Sequence, residues 1–355
     1  MNLNDFTELY KPKIDIEIRN FLNKKIERVE YDFLADYYTE IQNYLLAGGK
    51  RIRPLLCIAT YNTFSEFKDE TIVIPSLSVE FLHNASLIHD DILDNDDFRR
   101  GEPAFHFRFT EYHKKYALEK MSHREFGRDL GILGGDSTFF LGLEPLIDNH
   151  FSPQLNQQAI SYYKSVFHEL CEGVLMELDF VHQKETSMEN YIKMVSLKTG
   201  ALIEKAMLIG ATYAKVSPEL IPLISDYAIN LGILFQITDD IIGTYGDEEI
   251  TGKPTDGDIR EGKKTALLIS ALEKLESPDK KQLIALIEQK QMTENDVKTV
   301  RSLFSKADAI KECNQLAKGF YQKAKQSLDK LKPVATGSEF PIFGELLDFV
   351  LNRKH

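Results

Sequence analysis

Disulfide frameworks, metal–thiolate sites and backbone breakers are all scarce in this chain of 355 residues. Its three cysteines, Cys57, Cys171 and Cys313, lie far apart, with no CxxC pair and no histidine at zinc-site spacing. That excludes a disulfide scaffold and a structural zinc, and points to a reducing compartment. Gly (20) and Pro (12) make up about 9% of the residues against roughly 12% ordinarily, which favours long helices. Positive charge is in deficit: 43 Lys and Arg face 55 Asp and Glu, a formal net charge of −12. A nucleic-acid partner is thereby disfavoured, because phosphate backbones need a basic face. The first residues, MNLNDFTELYKPKID, lack the basic start and apolar core of a secretory signal. The sequence has no unbroken run of about 18 apolar residues; the nearest, 220–238, is broken by Asp226 and Asn230. The expectation is a cytoplasmic protein that is not transmembrane.

What is present is helical patterning. Hydrophobic residues are 43% and charged residues 28%, an ordinary globular balance. Leu223, Ile224, Tyr227, Ala228, Leu231, Leu234 and Phe235 recur at spacings of three and four. The same period marks 31–46, 52–64, 72–92, 129–147, 156–183, 188–214, 263–275 and 308–331. No alternating β-branched run flanked by hairpin turns is found, so no sheet is expected. Length alone allows two domains at about 150 residues each, but no Pro/Gly/Ser-rich linker divides the chain. The reading is one all-α domain of ten or more helices spanning 1–355. Residues 1–30 form a helical extension, the polar stretch 110–126 an exposed insertion, and 340–355 hold a last helix after the break PVATGS.

Two acidic segments break the pattern of apolar stripes ending in neutral residues. His89-Asp90-Asp91-Ile92-Leu93-Asp94-Asn95-Asp96-Asp97 packs five carboxylates into eight residues, where they repel one another and oppose the dipole at a helix C-terminus. Such a run is ordinarily a solvated helix end. Here Asp90 and Asp94 share one face and continue the stripe of Leu82, Ala85 and Ser86, so they are placed to hold a hard cation. Far downstream, Phe235-Gln236-Ile237-Thr238-Asp239-Asp240-Ile241-Ile242-Gly243 repeats the arrangement, with Asp239 extending the stripe of Leu231 and Phe235. Buried carboxylates are costly unless paired, and a shared metal is one way to offset that. Together the two segments read as acidic walls of a helical cavity facing each other across Mg²⁺.

Basic clusters accompany them: Lys50, Arg51 and Arg53 after Gly48-Gly49, then Arg99-Arg100, Lys198 in Lys198-Thr199-Gly200, Lys253, and Lys263-Lys264. Each alone is ordinarily a solvated surface cation. Beside carboxylates that need a bridging ion, they point to a ligand with several phosphates, since Asp-bound Mg²⁺ takes its remaining ligands from phosphates and water. GxxxxGK[ST] and a Rossmann strand–loop–helix are both missing, which excludes a nucleotide-type phosphate site.

From about residue 40 onward the chain resembles the trans-isoprenyl diphosphate synthases, or polyprenyl synthetases. The matching motifs are GGKRIRP (48–54), EFLHNASLIHDDILDNDDFRRGEPAFH (80–106), GGD (134–136), KTG (198–200), FQITDD (235–240) and TGKPTDGDIREGKKT (251–265). The resemblance implies an all-α isoprenoid synthase fold, a homodimer, and head-to-tail prenyl transfer. It assigns Asp90, Asp94 and Asp239 to about three Mg²⁺ on an allylic diphosphate, with Asp91 and Asp240 in support. It assigns Arg99, Lys198, Thr199, Lys253 and Lys263 to that diphosphate. Lys50, Arg53, His83 and Arg100, with Gln236 nearby, would anchor isopentenyl diphosphate. Released pyrophosphate would accept the proton, so no side-chain nucleophile is required.

Three departures from the family pattern stand out. Gly243 replaces the Asp that commonly ends the second motif, followed by Gly246-Asp247; Leu175-Met176 replaces a Gly-Gln pair ahead of Asp179; and 110–126 is long. In this family product length follows the residues below the first Asp pair. Ala85 and Ser86 are small, which implies a C20 product, with farnesyl, C25 or longer as alternatives and Leu82, Phe139 or Phe140 as the floor. Rival readings are a class I terpene cyclase, an HD-type phosphohydrolase suggested by His89-Asp90, and a non-catalytic regulatory subunit.

Overall fold

The computed structural model describes residues 1–66, 70–116, 119–183, 186–246 and 255–353, and the chain is 79% helical. Its contacts divide it into two compact units, 1–164 with 206–216 and 336–340, and 165–205 with 217–335 and 341–355.

The first unit holds α1 (Leu3–Ile26), α2 (Asp32–Leu46), α3 (Ile52–Phe64), α4 (Val73–Leu93), α5 (Phe105–Lys115), α6 (His123–Leu141) and α7 (Glu144–Ile147). A single apolar stripe, Phe6, Ile14, Ile18 and Leu22, docks α1 onto α2, α3 and α4. α4 is apolar almost all round and forms the unit's core, with α1, α3, α5, α6 and α7 packed on it. The GGD motif has a packing reason. A Cβ on Gly134 would fall 2.2 Å from the Phe105 ring and one on Gly135 2.1 Å from the His89 ring, so α6 approaches α5 and α4 only without side chains there.

One expectation changes here. A small sheet does exist: Phe98–Arg99 (β1) pairs antiparallel with Glu102–Pro103 (β2). Arg100 (φ 56°) and Gly101 (φ 77°) both have the left-handed backbone that suits a two-residue hairpin turn. Two residues per strand are too few to show alternation in the sequence. Of the stretch 110–126, residues 110–115 end α5 and 123–126 begin α6. Phe33 meets the rings of Tyr112, Tyr116 and Phe126 at 5.9–6.4 Å, so a largely exposed segment is held by one aromatic face.

The second unit contains the C-terminal half of α8 (Pro153–His182), α9 (Met188–Val195), a π-helical turn (Ser196–Gly200), the start of α10 (Ala201–Tyr213) and α11 (Ile221–Tyr245). It continues with α12 (Gly257–Arg260), α13 (Ala266–Lys274), α14 (Asp279–Ile287), α15 (Glu294–Lys306), α16 (Ala309–Leu331) and α17 (Pro341–Asn352). α11 is its centre, packed by α16, α17 and the π turn. Three helical stretches, Glu70–Leu93, His123–Ile147 and Pro218–Tyr245, do have the length and mean hydropathy to cross a membrane. Their scattered polar residues break the unbroken-run criterion without lowering the average enough.

Candidate active site

In the first unit α4 delivers the first acidic motif to its own C-terminus, with no basic residue in the last turn to offset the dipole. The structure separates the adjacent carboxylates. Asp91 is fully buried: its Oδ2 accepts from Tyr44 Oη at 2.8 Å and its Oδ1 from Arg99 Nε. Burial pushes its pKa up, while Arg99 opposes that shift. Asp90 is half-exposed and Asp94 exposed, one helical turn apart. Arg99, expected on the diphosphate, therefore also anchors Asp91.

The basic turn between α2 and α3 is built on left-handed backbone at Gly48 (φ 115°), Gly49 (φ 120°) and Arg51 (φ 52°). Arg51 is structural: it is buried and bonds Asp15 (2.8 Å), Glu80 (2.6 Å) and the carbonyl of Leu45 (2.7 Å). Lys50 is exposed on the same turn. The hairpin tip returns here, with Arg100 Nη1 donating to Gly48 O at 2.9 Å. Arg53, His83 and Arg100 thus share one neighbourhood. Burial, and after Glu80's opposing pull the charge of Arg100, push Arg53 down to about 10, and Arg53 Nε is enclosed with no hydrogen-bond partner among the described residues. Desolvation, then Arg53 and Arg100, hold His83 well below its usual value. Such a crowd of cations is a preformed place for an anion.

Ala85 and Leu82 are buried, and Ser86 Oγ donates to His83 O at 2.8 Å. Phe140 is 66% exposed, so of the residues expected to close the cavity Leu82 is the enclosed one and Phe140 is not. Successive residues of a helix point about 100° apart, which turns Phe140 outward beside half-buried Phe139.

The second unit repeats the division of labour. Asp240 is buried; its Oδ2 accepts from Tyr191 Oη (2.7 Å) and the Ala266 amide (3.0 Å), and its Oδ1 from Gln236 Nε2 (3.0 Å). Burial pushes its pKa up to about 6. Gln236 passes the chain of bonds on, accepting from Thr199 Oγ1 at 3.1 Å. Asp239 remains half-exposed and pairs with Arg353 at the end of α17, whose guanidinium also lies 4.8 Å from the Phe235 ring. Lys198 projects from the π turn and pairs with Glu177, beside the departing residue Met176. Lys263 Nζ lies 2.7 Å from Glu261 and 3.9 Å from Asp258. A pocket in this unit is lined by Lys198, Thr199, Gln236, Asp240, Asp258 and Lys263, among others. Lys253 and Asp247 lie outside the described residues.

The sequence reading missed Tyr44, Glu80, Tyr191, Glu177, Asp258 and Arg353. None sits at a telling distance from the residue it serves, so only packing could find them. Among the described residues no three His, Cys, Asp or Glu side chains converge as a ready metal site. Hard, accessible carboxylate oxygens in ones and twos, next to lysines and arginines, instead fit a hydrated divalent cation whose coordination is completed by phosphate.

Carboxylate-ended apolar helices beside cation clusters, on an all-α scaffold, define an enzyme that handles diphosphates with a divalent metal. The chain belongs to the polyprenyl synthetase family, whose sequence model matches residues 35–304. It is a trans-isoprenyl diphosphate synthase, a prenyltransferase acting on prenyl diphosphates. It is 32% identical over 345 residues, 96% of this chain and 94% of the relative, to the short chain isoprenyl diphosphate synthase of Methanocaldococcus jannaschii. It is 32% identical to the geranylfarnesyl diphosphate synthase of Aeropyrum pernix, over 86% of this chain and 91% of the relative. A crystal structure of geranylgeranyl pyrophosphate synthase from Corynebacterium glutamicum, complexed with isoprenyl diphosphate and magnesium, matches with a TM-score of 0.89 at 27% identity, covering 99% of this chain and 100% of that one.

Proposed function

We propose that the enzyme condenses isopentenyl diphosphate head to tail with an allylic diphosphate and releases a C20 trans-prenyl diphosphate. The observation that carries this reading is the Arg53–His83–Arg100 cluster with its unsatisfied Arg53 Nε. A cyclase working on one diphosphate has no use for a second anion site beside the first acidic motif. In the proposal Lys50, Arg53, His83 and Arg100 anchor the homoallylic diphosphate, while Lys198, Thr199, Lys253 and Lys263 bind the allylic one with Arg99. Asp90, Asp94 and Asp239 are assigned to Mg²⁺, about three ions per site. Asp91 and Asp240 serve by position, because their oxygens are already occupied by Tyr44 and Arg99, and by Tyr191, Gln236 and Ala266.

When bound, the divalent cations supply positive charge to the leaving diphosphate as the allylic C–O bond breaks. The lysines and arginines hold both diphosphates so that the double bond of the homoallylic substrate attacks the allylic carbon. The proton then lost beside the new bond passes to pyrophosphate, which balances the reaction. Incubating the purified protein with Mg²⁺, isopentenyl diphosphate and each of the C5, C10 and C15 primers, with products read by mass spectrometry, tests the assignment. Hydrocarbon from the C15 primer alone would point to a cyclase, and no turnover to a regulatory subunit.

The C20 product rests on the small buried Ala85 and on Ser86. Ala85→Phe should shorten the product by one or two isoprene units; an unchanged product would place the ruler elsewhere. The single-domain homodimer is supported by exposed Ile132, Leu133 and Phe140 along α6, a row of large apolar side chains that solvent disfavours. A cytoplasmic, membrane-free location is supported by three unpaired cysteines and by the carboxylates within the long apolar helices. Recovery of the full chain with membranes on cell fractionation would overturn it.

A further inference from the structure

The second acidic motif has Gly243 where an aspartate would complete a carboxylate pair one turn after Asp239. A glycine inside a helix costs about 1 kcal/mol relative to alanine, so its presence in α11 asks for a reason. Among the described residues outside the helix's own backbone, one group lies within 4 Å of the place a Cβ at 243 would take: Asp258 Oδ2, at 3.2 Å. That is tighter than an ordinary contact, and an aspartate at 243 would bring a second carboxylate against the first. Asp258 reaches this spot from α12, a part of the chain with no helical register to α11. Its other oxygen, Oδ1, lies 3.9 Å from Lys263 Nζ, and the residue lines the same pocket as Lys198, Thr199 and Gln236.

We propose that Asp258 replaces the missing side chain of residue 243: its carboxylate, beside the bare Cα of Gly243, is an oxygen ligand for a hydrated divalent cation carrying diphosphate in the second unit. Lys263 faces Oδ1, and Oδ2 is the oxygen on the Gly243 side. The glycine is then a device that keeps room for a carboxylate delivered from elsewhere. The inference rests on the prenyl diphosphate synthase reading, which supplies the cation and the diphosphate.

The test is calorimetric titration of Mg²⁺ into the full-length protein with saturating inorganic pyrophosphate. Asp258→Asn should weaken Mg²⁺ binding by at least about 10-fold, since even the outer partners of metal ligands are worth about 10- to 100-fold in affinity. Gly243→Ala, which displaces Asp258 without removing charge, should weaken it less. Gly243→Asp combined with Asp258→Asn should regain most of the loss. Circular dichroism and the ligand-free Tm of each variant verify folding, and Asp258→Ser replaces Asp258→Asn if the latter does not fold. Wild-type affinity in Asp258→Asn, or a double variant as weak as the single one, would overturn the role of Asp258 alone. No binding by the wild-type protein would overturn the functional reading and this inference with it.

Discussion

Asp91 and Asp240 are chemically the same as the aspartates beside them, yet burial gives each a different task. Tyr44 is what makes Asp91 an anchor, since a buried carboxylate oxygen deprived of its donor bears its desolvation cost alone. Tyr44→Phe should destabilise the protein by about 1–3 kcal/mol in urea denaturation and loosen the first acidic motif; unchanged stability would remove Tyr44 from that role. His83 carries a pH prediction. Desolvation first, then Arg53 and Arg100, depress its pKa in the folded chain well below the ordinary 6.5. The unfolded chain therefore takes up a proton on acidification that the native protein refuses. The associated stability is whole above pH 6.5 and falls as pH drops below it. Between about pH 7.5 and about 5.5 the wild-type Tm should fall more than that of His83→Gln. Equal slopes would mean His83 is not held neutral. The aspartates of the motifs could be named from local spacing, whereas Tyr44, lying 47 positions from Asp91, could not.

Helices were legible where their stripes were apolar. The expected 52–64, 188–214 and 308–331 correspond closely to α3, to α9 through α10, and to α16. α14 escaped notice because it is short and α15 because it is polar, although Thr293 and Asp296 form a capping box at the start of α15. The π turn at Ser196–Gly200 also had no signal of its own, yet it decides where Lys198 and Thr199 emerge. Its position depends on glycines in neighbouring helices. A Cβ on Gly173 would lie 2.5 Å from Lys198 N, and one on Gly232 2.5 Å from Gly200 Cα. Because the obstacle is backbone, it cannot swing aside. Gly173→Ala should cost about 1–3 kcal/mol by overpacking and also weaken pyrophosphate binding, whereas Leu178→Ala, on the exposed side of α8, should change neither. Intact pyrophosphate affinity in Gly173→Ala would show that the turn does not depend on that contact.

For the whole molecule, the charge of −12 at first served only to disfavour nucleic acid. It resolves into half-exposed and exposed carboxylates on α4 and α11 and separate clusters of arginine and lysine. The apolar row on α6 calls for a partner. Phe140→Asp should turn the dimer expected for the wild type into a monomer in light scattering after size exclusion; a wild-type monomer would end the proposal.

The sequence by itself determined the helical class, the family and the two acidic motifs, because helical period and i,i+4 spacing are local properties that no distant contact can alter. Only the tertiary structure decided which aspartate of each pair is buried and bonded. It also decided that Arg53, His83 and Arg100 gather in one place, and that Asp258 stands beside Gly243. Those are matters of desolvation and close approach between residues far apart in the chain: the stripes pointed to Asp90, Asp94 and Asp239, yet Asp91 and Asp240 are the buried ones, because Tyr44, Arg99, Tyr191 and Ala266 reach them from other elements.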